Sequence, residues 1–485
     1  MVYKVGDRMQ QTFLPSRIED YVKQNDPVRV YDAFIDALDF EQLGIPIEPY
    51  TSGADTYYPK HMVKLLVYGY SYGLRSSRKL SRACTHNLSF IWLLGGLTPA
   101  YRTIARFRDK YKEQIKNILK QSVQLCLKLD LIDGNSLFID SSVFKANASL
   151  NKTYDHDRCQ KALNKIHEHI DQLVDEIQRL DTQEQDKESL TELTEQLADQ
   201  NQRKEKIEAI VKELNQRQDH CTKEQIPTCN TTDPQCAKIH KSNKTTAGYN
   251  VQMVVDGKHG LIVHAESTNV PNDAGQLNEQ IQNAKNILGQ SPKTVASDTG
   301  YYSLPDLSKI DPVVTVVIPT QKQVLKERHK DKPTAFDKEQ FIYDEASDQY
   351  ICPEGHRFNR VGFDQDKQQY SYRTKRKHCL SCQHFGVCTT SPKGRTIKRS
   401  LHEKLKERLE QIYDSPEGQD IYALRKQKAE LPFGHVKHNL SATEFLLKGK
   451  KGANAEISLL ATAFNITRMI SIIGVVELLT KVPMS

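Results

Sequence analysis

A heptad stretch in the middle of the chain separates segments that otherwise follow an α/β order. Its first part places apolar residues at alternating spacings of three and four, the seam along which helices pack: Leu163, Ile166, Ile170, Leu173, Ile177 and Leu180. After a polar stretch at residues 181–188, a second run keeps heptad spacing with gaps: Leu190, Leu193, Leu197, Lys204, Ile207, Val211 and Leu214. The pattern predicts either an antiparallel hairpin of two helices or one intermolecular coiled coil, and the sequence leaves both open.

Strand and helix signals lie on both sides of this insertion. The segment from Leu137 to Asp140 is strand-like, and residues 248–256 and 261–267 flank a turn, which indicates a β-hairpin. The remaining predicted elements are a helix over 274–288, capped by Asn272-Asp273, and strands over 293–298 and 313–318. This order predicts an α/β fold of the RNase H-like type, a mixed sheet with helices that follows an all-α N-terminal domain.

Basic and acidic residues are unevenly distributed around a net charge of +7. Residues 60–128 contain fourteen Lys/Arg against two acids, and residues 367–399 contain nine Lys/Arg and no acid. Residues 155–217, by contrast, contain sixteen acids and ten bases. Two basic blocks separated by an acidic one predict two surfaces that face nucleic acid, although charge runs are also typical of solvated faces.

The compartment can be argued from the chain start and from the apolar stretches. The chain opens Met1-Val2-Tyr3-Lys4, without the pattern of a secretory signal, so we expect a cytosolic protein. The longest apolar stretch, residues 457–482, is interrupted by Asn465, Arg468 and Glu477, which favours a buried helix over a membrane span. Ten cysteines in such a compartment are expected to be reduced, and a cluster among them indicates a metal site.

Arginines follow a turn at Gly95-Gly96 within the first basic block. Arg102, Arg106 and Arg108 fall at the start of a predicted helix, where a helix-turn-helix presents side chains to a DNA groove. The same arginines beside Phe107 are equally typical of an ordinary surface helix. Arg102 and Arg106 are therefore candidate DNA contacts, with the surface helix as the alternative.

Four cysteines cluster in the second basic block. Cys379 and Cys382 form a C-x2-C pair, and Cys352 and Cys388 can complete a four-thiolate structural zinc site. His356 or His384 can replace one sulfur, and scattered reduced thiols are the alternative, because a second C-x2-C pair is missing. The flanking bases, Arg376 among them, make this predicted knuckle a candidate for phosphate contact. Cys221, Cys229 and Cys236 have looser spacing and are interpreted as ordinary residues.

Six motifs in order resemble the DDE transposases of bacterial insertion sequences, in the group with an N-terminal helical domain and a cysteine knuckle before the last acid. The resemblance covers roughly residues 10–475. The motifs are Tyr68-Gly69-Tyr70 with Arg106-Phe107-Arg108, Ile139-Asp140-Ser141-Ser142, Gly248-Tyr249-Asn250-Val251-Gln252, Ala296-Ser297-Asp298-Thr299-Gly300-Tyr301, Glu430-Leu431-Pro432-Phe433-Gly434 and Ala463-Phe464-Asn465-Ile466. Each motif is weak alone, and six in order are a strong signal.

Asp140, Asp298 and Glu430 are the candidate catalytic residues and metal ligands. Two carboxylates at predicted strand ends and one on a helix can hold two Mg²⁺ (or Mn²⁺) ions, because hard cations take carboxylate oxygens. One ion is expected to activate a water or a DNA 3′-OH and the other to stabilise the leaving oxygen. No covalent protein nucleophile is required.

The resemblance also implies DNA-contacting residues around the third acid. Related transposases carry Tyr, Arg, Glu and Lys in one signature, which Tyr422, Arg425, Glu430 and Lys437 match with one extra residue between Arg and Glu. Lys426 is the competitor of Arg425. Pro432 predicts that a helix starts or kinks near Glu430, because proline is best tolerated in the first turn of a helix.

The implied function is a DNA transposase that cleaves phosphodiesters at terminal inverted repeats and transfers 3′-OH ends to target DNA. The implied partners are double-stranded DNA and further copies of the chain on it, in the bacterial cytoplasm at the nucleoid and not at a membrane. The alternatives are an inactive or domesticated copy that only binds DNA, and an RNase H-like structure-specific nuclease. The predicted domains are a helical DNA-binding domain (1–130), the catalytic domain (131–150, 240–320 and 415–475), a coiled-coil insertion (151–220), a basic zinc-knuckle-like insertion (321–410) and a C-terminal helix (453–485).

Overall fold

The computed structural model describes residues 17–48, 56–182, 187–218, 227–241, 243–327, 336–365 and 367–482. Two compact units divide the chain. Unit 1 comprises Met1–Asn272, Gln282–Ser291 and Gln427–Ser485, and unit 2 comprises Asp273–Ile281 and Pro292–Lys426. The middle of the polar stretch predicted at 181–188 and the position of Cys221 lie outside the described residues.

Unit 1 begins with short helices. They are α1 (Val28–Asp36), α2 (Phe40–Leu43), α3 (Pro59–Ser71), α4 (Ser77–His86), α5 (Leu88–Leu93), α6 (Tyr101–Lys110), α7 (Lys112–Ile115) and α8 (Ile118–Lys128). Pro59 occupies the first turn of α3, where its missing N–H has no intrahelical partner to lose. Every residue of α3 from Met62 to Tyr70 is buried, so α3 is a core helix of this region.

The heptad stretch forms two long helices of the same chain. They are α9 (His156–Thr182) and α10 (Lys187–Gln218), and they pack against each other. Ile166, Ile207, Ile210 and Leu214 form one buried cluster with Cys159 and Cys229 near the base of the pair. The intramolecular hairpin is therefore the alternative that the structure supports.

The described part of unit 1 contains six strands. They are β1 (Ser136–Lys145), β2 (Thr153–Tyr154), β3 (Cys229–Asn230), β4 (Ala237–Lys241), β5 (Lys244–Asp256) and β6 (Ile262–Thr268). Strands β2 and β3 form a separate pair, and the other four include the long central strand β5. Strand β5 pairs antiparallel with β1 along one edge and with β4 and β6 along the other. The predicted hairpin is confirmed as β5–β6, whereas β4 was not predicted.

Strand β1 is longer than the sequence indicated. The predicted strand ends at Asp140, but β1 continues through Ser141 and Ser142 to Lys145, which pairs with Gly248 of β5. A Cβ atom at Gly248 would lie 2.4 Å from the carbonyl oxygen of Phe144, so glycine permits the close approach of the two strands. Asp140 therefore lies in the middle of a strand and not at its end.

Unit 1 closes with α17 (Gly449–Ile473) and α18 (Val475–Lys481). Among the described residues, α17 is the one helix that is long and apolar enough to cross a membrane. It packs against α3, α7, α8 and β6, and several of its polar side chains have partners inside unit 1. The Asn465 side chain accepts from the Ile262 N–H and donates to the Ile262 carbonyl, both at 2.8 Å, and Asn454 accepts from the Ser267 N–H at 2.7 Å. Helix α17 is thus a buried core helix, as its interrupted apolar pattern predicted.

Unit 2 contains a parallel strand pair, β7 (Thr294–Ser297) and β8 (Thr315–Val317). The strand predicted before Asp298 is confirmed, and the one predicted from residue 313 begins later, with Val313 82% exposed. Helix α11 (Leu277–Leu288), of which residues 277–281 belong to unit 2 and the rest to unit 1, also begins later than predicted, because Asp273 and Gln276 form a turn before it. The other helices here are α12 (Leu304–Leu307), α13 (Gln321–Glu327), α15 (Glu403–Asp414) and the first part of α16 (Pro416–Gly434).

A small antiparallel sheet forms the rest of unit 2. Its strands are β9 (Ile342–Asp344), β10 (Gln349–Ile351), β11 (Arg357–Asp364), β12 (Gln369–Arg373) and β13 (Thr396–Ser400), with α14 (Arg376–Leu380) between the last two. We call residues 336–400 the cysteine-rich sheet. Its buried cluster consists of Phe341, Tyr350, Phe358, Tyr372 and Ile397. The predicted α/β class with an all-helical N-terminal region is confirmed, and the predicted domain limits stay predictions.

Candidate functional site

Asp140 is presented by the middle of β1. It is half-buried, between the buried Ile139 and Ser141, and pairs in register with Met253 of β5. Its Oδ1 atom accepts a hydrogen bond from the Ser141 N–H at 2.7 Å. The strand therefore fixes the backbone on both sides of this carboxylate.

Glu430 lies in the last turns of α16 and is exposed, next to the buried Ala429. The sequence predicted a helix start or a kink near Pro432; the start is wrong, because α16 runs from Pro416 through Pro432 to Gly434, and the kink stays a prediction. A π-helical turn, His435–Asn439, follows directly. Proline removes one backbone donor and crowds the preceding turn, and the wider π turn after it is the local change in geometry.

The chain that follows Glu430 packs on the second half of β1. The rings of Phe433 and Phe144 lie 6.5 Å apart, and those of Phe144 and Phe445 lie 5.5 Å apart. The Lys145 N–H donates to the Thr443 carbonyl at 3.1 Å, and the Phe445 N–H donates back to the Lys145 carbonyl at 2.9 Å. The end of the Glu430 helix and the Asp140 strand are therefore neighbours within unit 1.

Lys437 connects these two elements directly. Its Nζ donates to Ser142 Oγ at 2.5 Å and to the Val143 carbonyl at 3.0 Å, and it lies 4.7 Å from the centroid of the Phe144 ring. Burial lowers the pKa of Lys437, and the positive charge of Lys241 lowers it further. The DNA contact of Lys437 stays a prediction, and its ammonium group has two hydrogen-bond partners on β1.

A buried ion pair holds the loop that follows. We call residues 441–447 the clamp loop. Arg75 donates to the carbonyls of Ser441 and Glu444 at 3.2 and 2.7 Å, and its guanidinium lies 3.3 Å from Glu456. The fully buried Glu456 accepts from the N–H groups of Leu446 and Leu447. Two side chains thus bind two carbonyls and two N–H groups of one loop.

Arg108 belongs to this network and not to the surface. It is 6% exposed and donates to the Arg75 carbonyl at 2.8 Å and to Tyr70 Oη at 3.2 Å. The expectation that Arg108 projects towards DNA is therefore wrong. Arg102 and Arg106 on α6 are exposed, and their predicted role stays untested. Sequence reasoning missed Arg75 and Glu456, since nothing local distinguishes a buried charge before its partner is known.

Asp298 directly follows β7 in unit 2. It caps the short helical turn Thr299–Tyr301, with its Oδ1 accepting from the Gly300 N–H at 2.9 Å. A Cβ atom on Gly300 would lie 3.0 Å from Asp298 Oδ1 and 3.5 Å from Asp273 Oδ2. Glycine at this position therefore leaves room for two carboxylates that face the same turn.

The remaining signature residues lie on the first part of α16, in unit 2. Arg425 is half-buried with its guanidinium 5.4 Å from the Tyr422 ring, and the Tyr422 ring lies 5.0 Å from that of Tyr413. Lys426 is exposed. This arrangement places Tyr422 and Arg425 together, and their contact with DNA stays a prediction.

The four predicted zinc ligands line one pocket of the cysteine-rich sheet, together with His356, His378 and His384. Cys352, Cys379, Cys382 and Cys388 are all free thiols. The N–H of His356 donates to Cys352 Sγ at 3.3 Å, and the N–H of His384 donates to Cys382 Sγ at 3.5 Å. Burial raises the pKa of the Cys388 thiol, Arg395 opposes this, and the other three cysteines raise it again. Arg376 is exposed at the start of α14.

The donor sets can be compared with the metals that the sequence implied. In the described part of the chain, no group of three His, Cys, Asp or Glu side chains is arranged so that it could hold a metal ion. Chemically, the Asp140, Asp298 and Glu430 carboxylates suit Mg²⁺, and four thiols suit Zn²⁺. The shared pocket and the N–H···S bonds show that the cysteines are gathered, although their sulfurs are not at coordination geometry.

Known proteins match two parts of the chain. The family described as "Transposase DDE domain" matches residues 351–470, and the family described as "Transposase domain (DUF772)" matches residues 16–110. A solved structure, the cryo-EM structure of the piggyBac transposase synaptic complex with hairpin DNA, is similar at 10% identity and a TM-score of 0.24, over 92% of this chain and 82% of that one. No curated protein matches. The two family matches cover the N-terminal helices and the segment with Glu430, and together they support a DDE transposase.

Proposed function

We propose that this chain cleaves phosphodiesters at the terminal inverted repeats of its element and transfers the 3′-OH ends to target DNA. Asp140, Asp298 and Glu430 are the proposed carboxylates. The observation that carries the proposal is the attachment of the Glu430 helix to the Asp140 strand, through Lys437 and Ser142 at 2.5 Å. A glutamate on a helix with no role at the Asp140 strand would not require a hydrogen bond between that helix region and the strand.

Each residue has a proposed part in the reaction. Divalent metal ions, when bound, activate the attacking oxygen and stabilise the leaving one. Asp140 is held half-buried by β1, which limits its rotamers and keeps its carboxylate in one direction. Lys437 fixes the Glu430 helix on β1, so we assign it a positioning role. Arg425, half-buried beside Tyr422, is the proposed phosphate contact.

In this proposal no protein side chain acts as a covalent nucleophile. Water or a DNA 3′-OH attacks the phosphorus instead. The proton of the attacking oxygen leaves to solvent or to a carboxylate, and the leaving 3′-oxygen of the broken bond is the group that is later joined. Asp298 enters the proposal from its motif and from its position directly after β7. Assembly of more than one copy on DNA stays a prediction.

A cleavage assay tests the proposal. DNA flanking the gene supplies the inverted-repeat duplex, and products are measured with Mg²⁺ for wild type, Asp140→Asn, Asp298→Asn and Glu430→Gln. We expect nicked and strand-transfer products from wild type and a loss of at least roughly 10²-fold in each variant, since removed metal ligands leave transition-state charge unopposed. Glu417→Gln, an exposed glutamate on the same helix, is the matched control.

The outcomes separate the competing functions. Equal cleavage by wild type and all three variants would contradict the proposed carboxylates. Binding without cleavage by wild type would favour a DNA-binding copy that has lost activity. Cleavage without any joined product would favour a structure-specific nuclease.

We also propose that Cys352, Cys379, Cys382 and Cys388 hold one structural zinc ion. Their common pocket and the backbone N–H groups that donate to two of the sulfurs support this, because such hydrogen bonds stabilise thiolate ligands. Four thiolates would leave no open position, so this metal would stabilise the fold and take no part in cleavage.

A further inference from the structure

A basic hairpin lies beside the end of the Asp140 strand. It is formed by β4 and the first residues of β5, and residues 237–247 contain three lysines and one histidine without an acid. Lys241 and Lys244 pair in register, and both are exposed. The side chains of His240 and Thr245 hydrogen-bond across the two strands at 2.9 Å. The hairpin is thus a formed element with its positive charge at one end.

The register places this hairpin next to the second half of β1. Gly248 of β5 pairs with Lys145 of β1 on one side and with Ala237 of β4 on the other. Strand β1 ends at that point, and the hairpin continues beyond it by the four pairs from Lys238–Ala247 to Lys241–Lys244. Its end therefore projects past the strand that carries Asp140.

The positive charge of the hairpin end is not neutralised by the protein. Lys238, nearer the base, lies 3.9 Å from Asp155, but no ion pair of Lys241 or Lys244 occurs in the described ranges. Burial lowers the pKa of Lys437, and the positive charge of Lys241 lowers it further. An anion bound at the ammonium groups of the hairpin end would reduce the repulsion between these cations.

A simpler explanation exists for part of this pattern. Lysines on an edge strand prevent sheets from joining edge to edge, and β4 is an edge strand of the unit 1 strands. That explanation accounts for Lys238 and Lys241. It does not account for Lys244 directly opposite Lys241, because like charges in a cross-strand pair destabilise a hairpin.

We propose that the β4–β5 hairpin binds the phosphate backbone of duplex DNA through Lys241 and Lys244, next to the strand that carries Asp140. The proposal rests on the proposed function and adds a contact surface to it. Ammonium groups bind phosphate as point charges and read no bases, so the hairpin would position the duplex without selecting its sequence.

The salt dependence of DNA affinity tests this directly. Full-length protein is titrated with a duplex of arbitrary sequence at several salt concentrations, comparing wild type with Lys241→Gln/Lys244→Gln. Each lost phosphate contact removes about 0.9 from the slope of log K against log salt, so we expect the slope to fall by about 1.8 and affinity at physiological salt to fall roughly 10- to 30-fold.

A matched control removes the same charge elsewhere. Lys161→Gln/Lys165→Gln changes two exposed lysines of α9, in the acidic helical hairpin, and is expected to leave the slope within about 0.3 of wild type. An unchanged slope in Lys241→Gln/Lys244→Gln would overturn the proposal. Increased self-association of that variant, with an unchanged slope, would show that the lysines serve the edge strand instead.

The result is distinguishable from failure of the proposed function. If wild type binds no DNA, the proposed function fails. If wild type and Asp140→Asn bind DNA with the same slope and the hairpin variant does too, only the hairpin inference fails. If only the hairpin variant loses slope, the contact is established whether or not cleavage is observed.

Discussion

The clamp loop and the cysteine-rich sheet are both polar segments, but they are stabilised in different ways. The clamp loop is fixed by the chain's own groups, because Arg75 and Glu456 satisfy its carbonyls and N–H groups inside unit 1. The cysteine-rich sheet has a buried cluster of five residues beside four free thiols. A sheet of this size needs a further constraint to be stable. The clamp loop is therefore stabilised by side chains of the protein itself, whereas the cysteine-rich sheet is expected to need a bound metal ion.

Zinc removal should give the largest effect and separates the two regions. Chelation, or Cys382→Ser, is expected to unfold the cysteine-rich sheet, because binding of a structural zinc supplies about 10–16 kcal/mol in zinc-finger peptides. Protease cleavage within residues 336–400 and the zinc content of the purified protein measure this. Fluorescence of Trp92, the single tryptophan and a residue of unit 1, should not change.

Ser381→Ala is the control for that experiment, as an exposed neighbour of the cysteine pair. If the purified protein contains no zinc and Cys382→Ser resists protease as well as wild type does, the cysteine-rich sheet does not depend on a metal ion. The cysteine-rich sheet would then be stable through its aromatic cluster alone.

Loss of Glu456 should give the next largest effect, in unit 1. Glu456→Ala leaves Arg75 buried without its carboxylate and two loop N–H groups without an acceptor, so we expect the free energy of unfolding to fall by about 3–5 kcal/mol. Glu456→Gln keeps an acceptor and should lose less. Urea unfolding followed by Trp92 fluorescence measures both.

Glu444→Gln is the matched control in the clamp loop, because its side chain is exposed. We expect a change within about 0.5 kcal/mol. Equal stability of Glu456→Ala and wild type would show that the clamp loop is not held by this pair.

The pH dependence of unit 1 should reflect a buried acid in a turn. Burial raises the pKa of Asp256 to about 6, although it accepts hydrogen bonds from the N–H groups of Gly134 and Lys258. The folded state thus holds this proton more tightly than the unfolded state. Stability from this group is fully present below about pH 4 and is lost as pH rises through about 6, a change of about 3 kcal/mol.

Urea unfolding at pH values from 4 to 7 measures this slope through Trp92, with the loss expected between about 4 and 6. Asp256→Asn cannot titrate and should show a smaller slope over the same interval. A steeper loss of stability in the variant than in wild type would contradict the assignment.

Two glycine substitutions, one in unit 1 and one in the cysteine-rich sheet, should change stability least. Gly248→Ala forces a Cβ atom to 2.4 Å from the Phe144 carbonyl oxygen, and we expect a loss of about 1–3 kcal/mol from the shifted strands. Gly362→Ala in β11 meets nothing within 4 Å and should change stability by less than about 0.5 kcal/mol. Trp92 fluorescence reports the first, and protease resistance of residues 336–400 reports the second. Similar losses at both sites would contradict the close approach of β1 and β5.

Regular apolar patterns made much of the fold predictable from sequence. The β5–β6 hairpin, the strand before Asp298 and the buried helix α17 follow from alternation or helical spacing. The same patterns could not show that β1 continues through Ser141 and Ser142, because these polar residues are stabilised by pairing with β5. Strand β4 was missed since its lysines and short length hide the alternation.

The candidate site could be proposed from the sequence only where a motif contains its residues. Asp140, Asp298 and Glu430 are motif residues, but the helix through Pro432 depends on contacts of Phe433 and Lys437 with β1. Burial of Arg108 depends on Arg75 and Tyr70, which are remote in sequence. Such tertiary contacts override local propensity, and single residues do not reveal them.

The two asparagines of α17, Asn454 and Asn465, hydrogen-bond to the backbone at the two ends of strand β6. A helix advances about 1.5 Å per residue and a strand about 3.3 Å, so the eleven residues from Asn454 to Asn465 and the five from Ile262 to Ser267 both span about 16 Å. The amide groups therefore reach both ends of β6 in antiparallel order, as a neighbouring strand would. An open edge of this kind would accept a strand from another chain. By ending the ladder with side chains, α17 prevents a strand of another chain from pairing with β6.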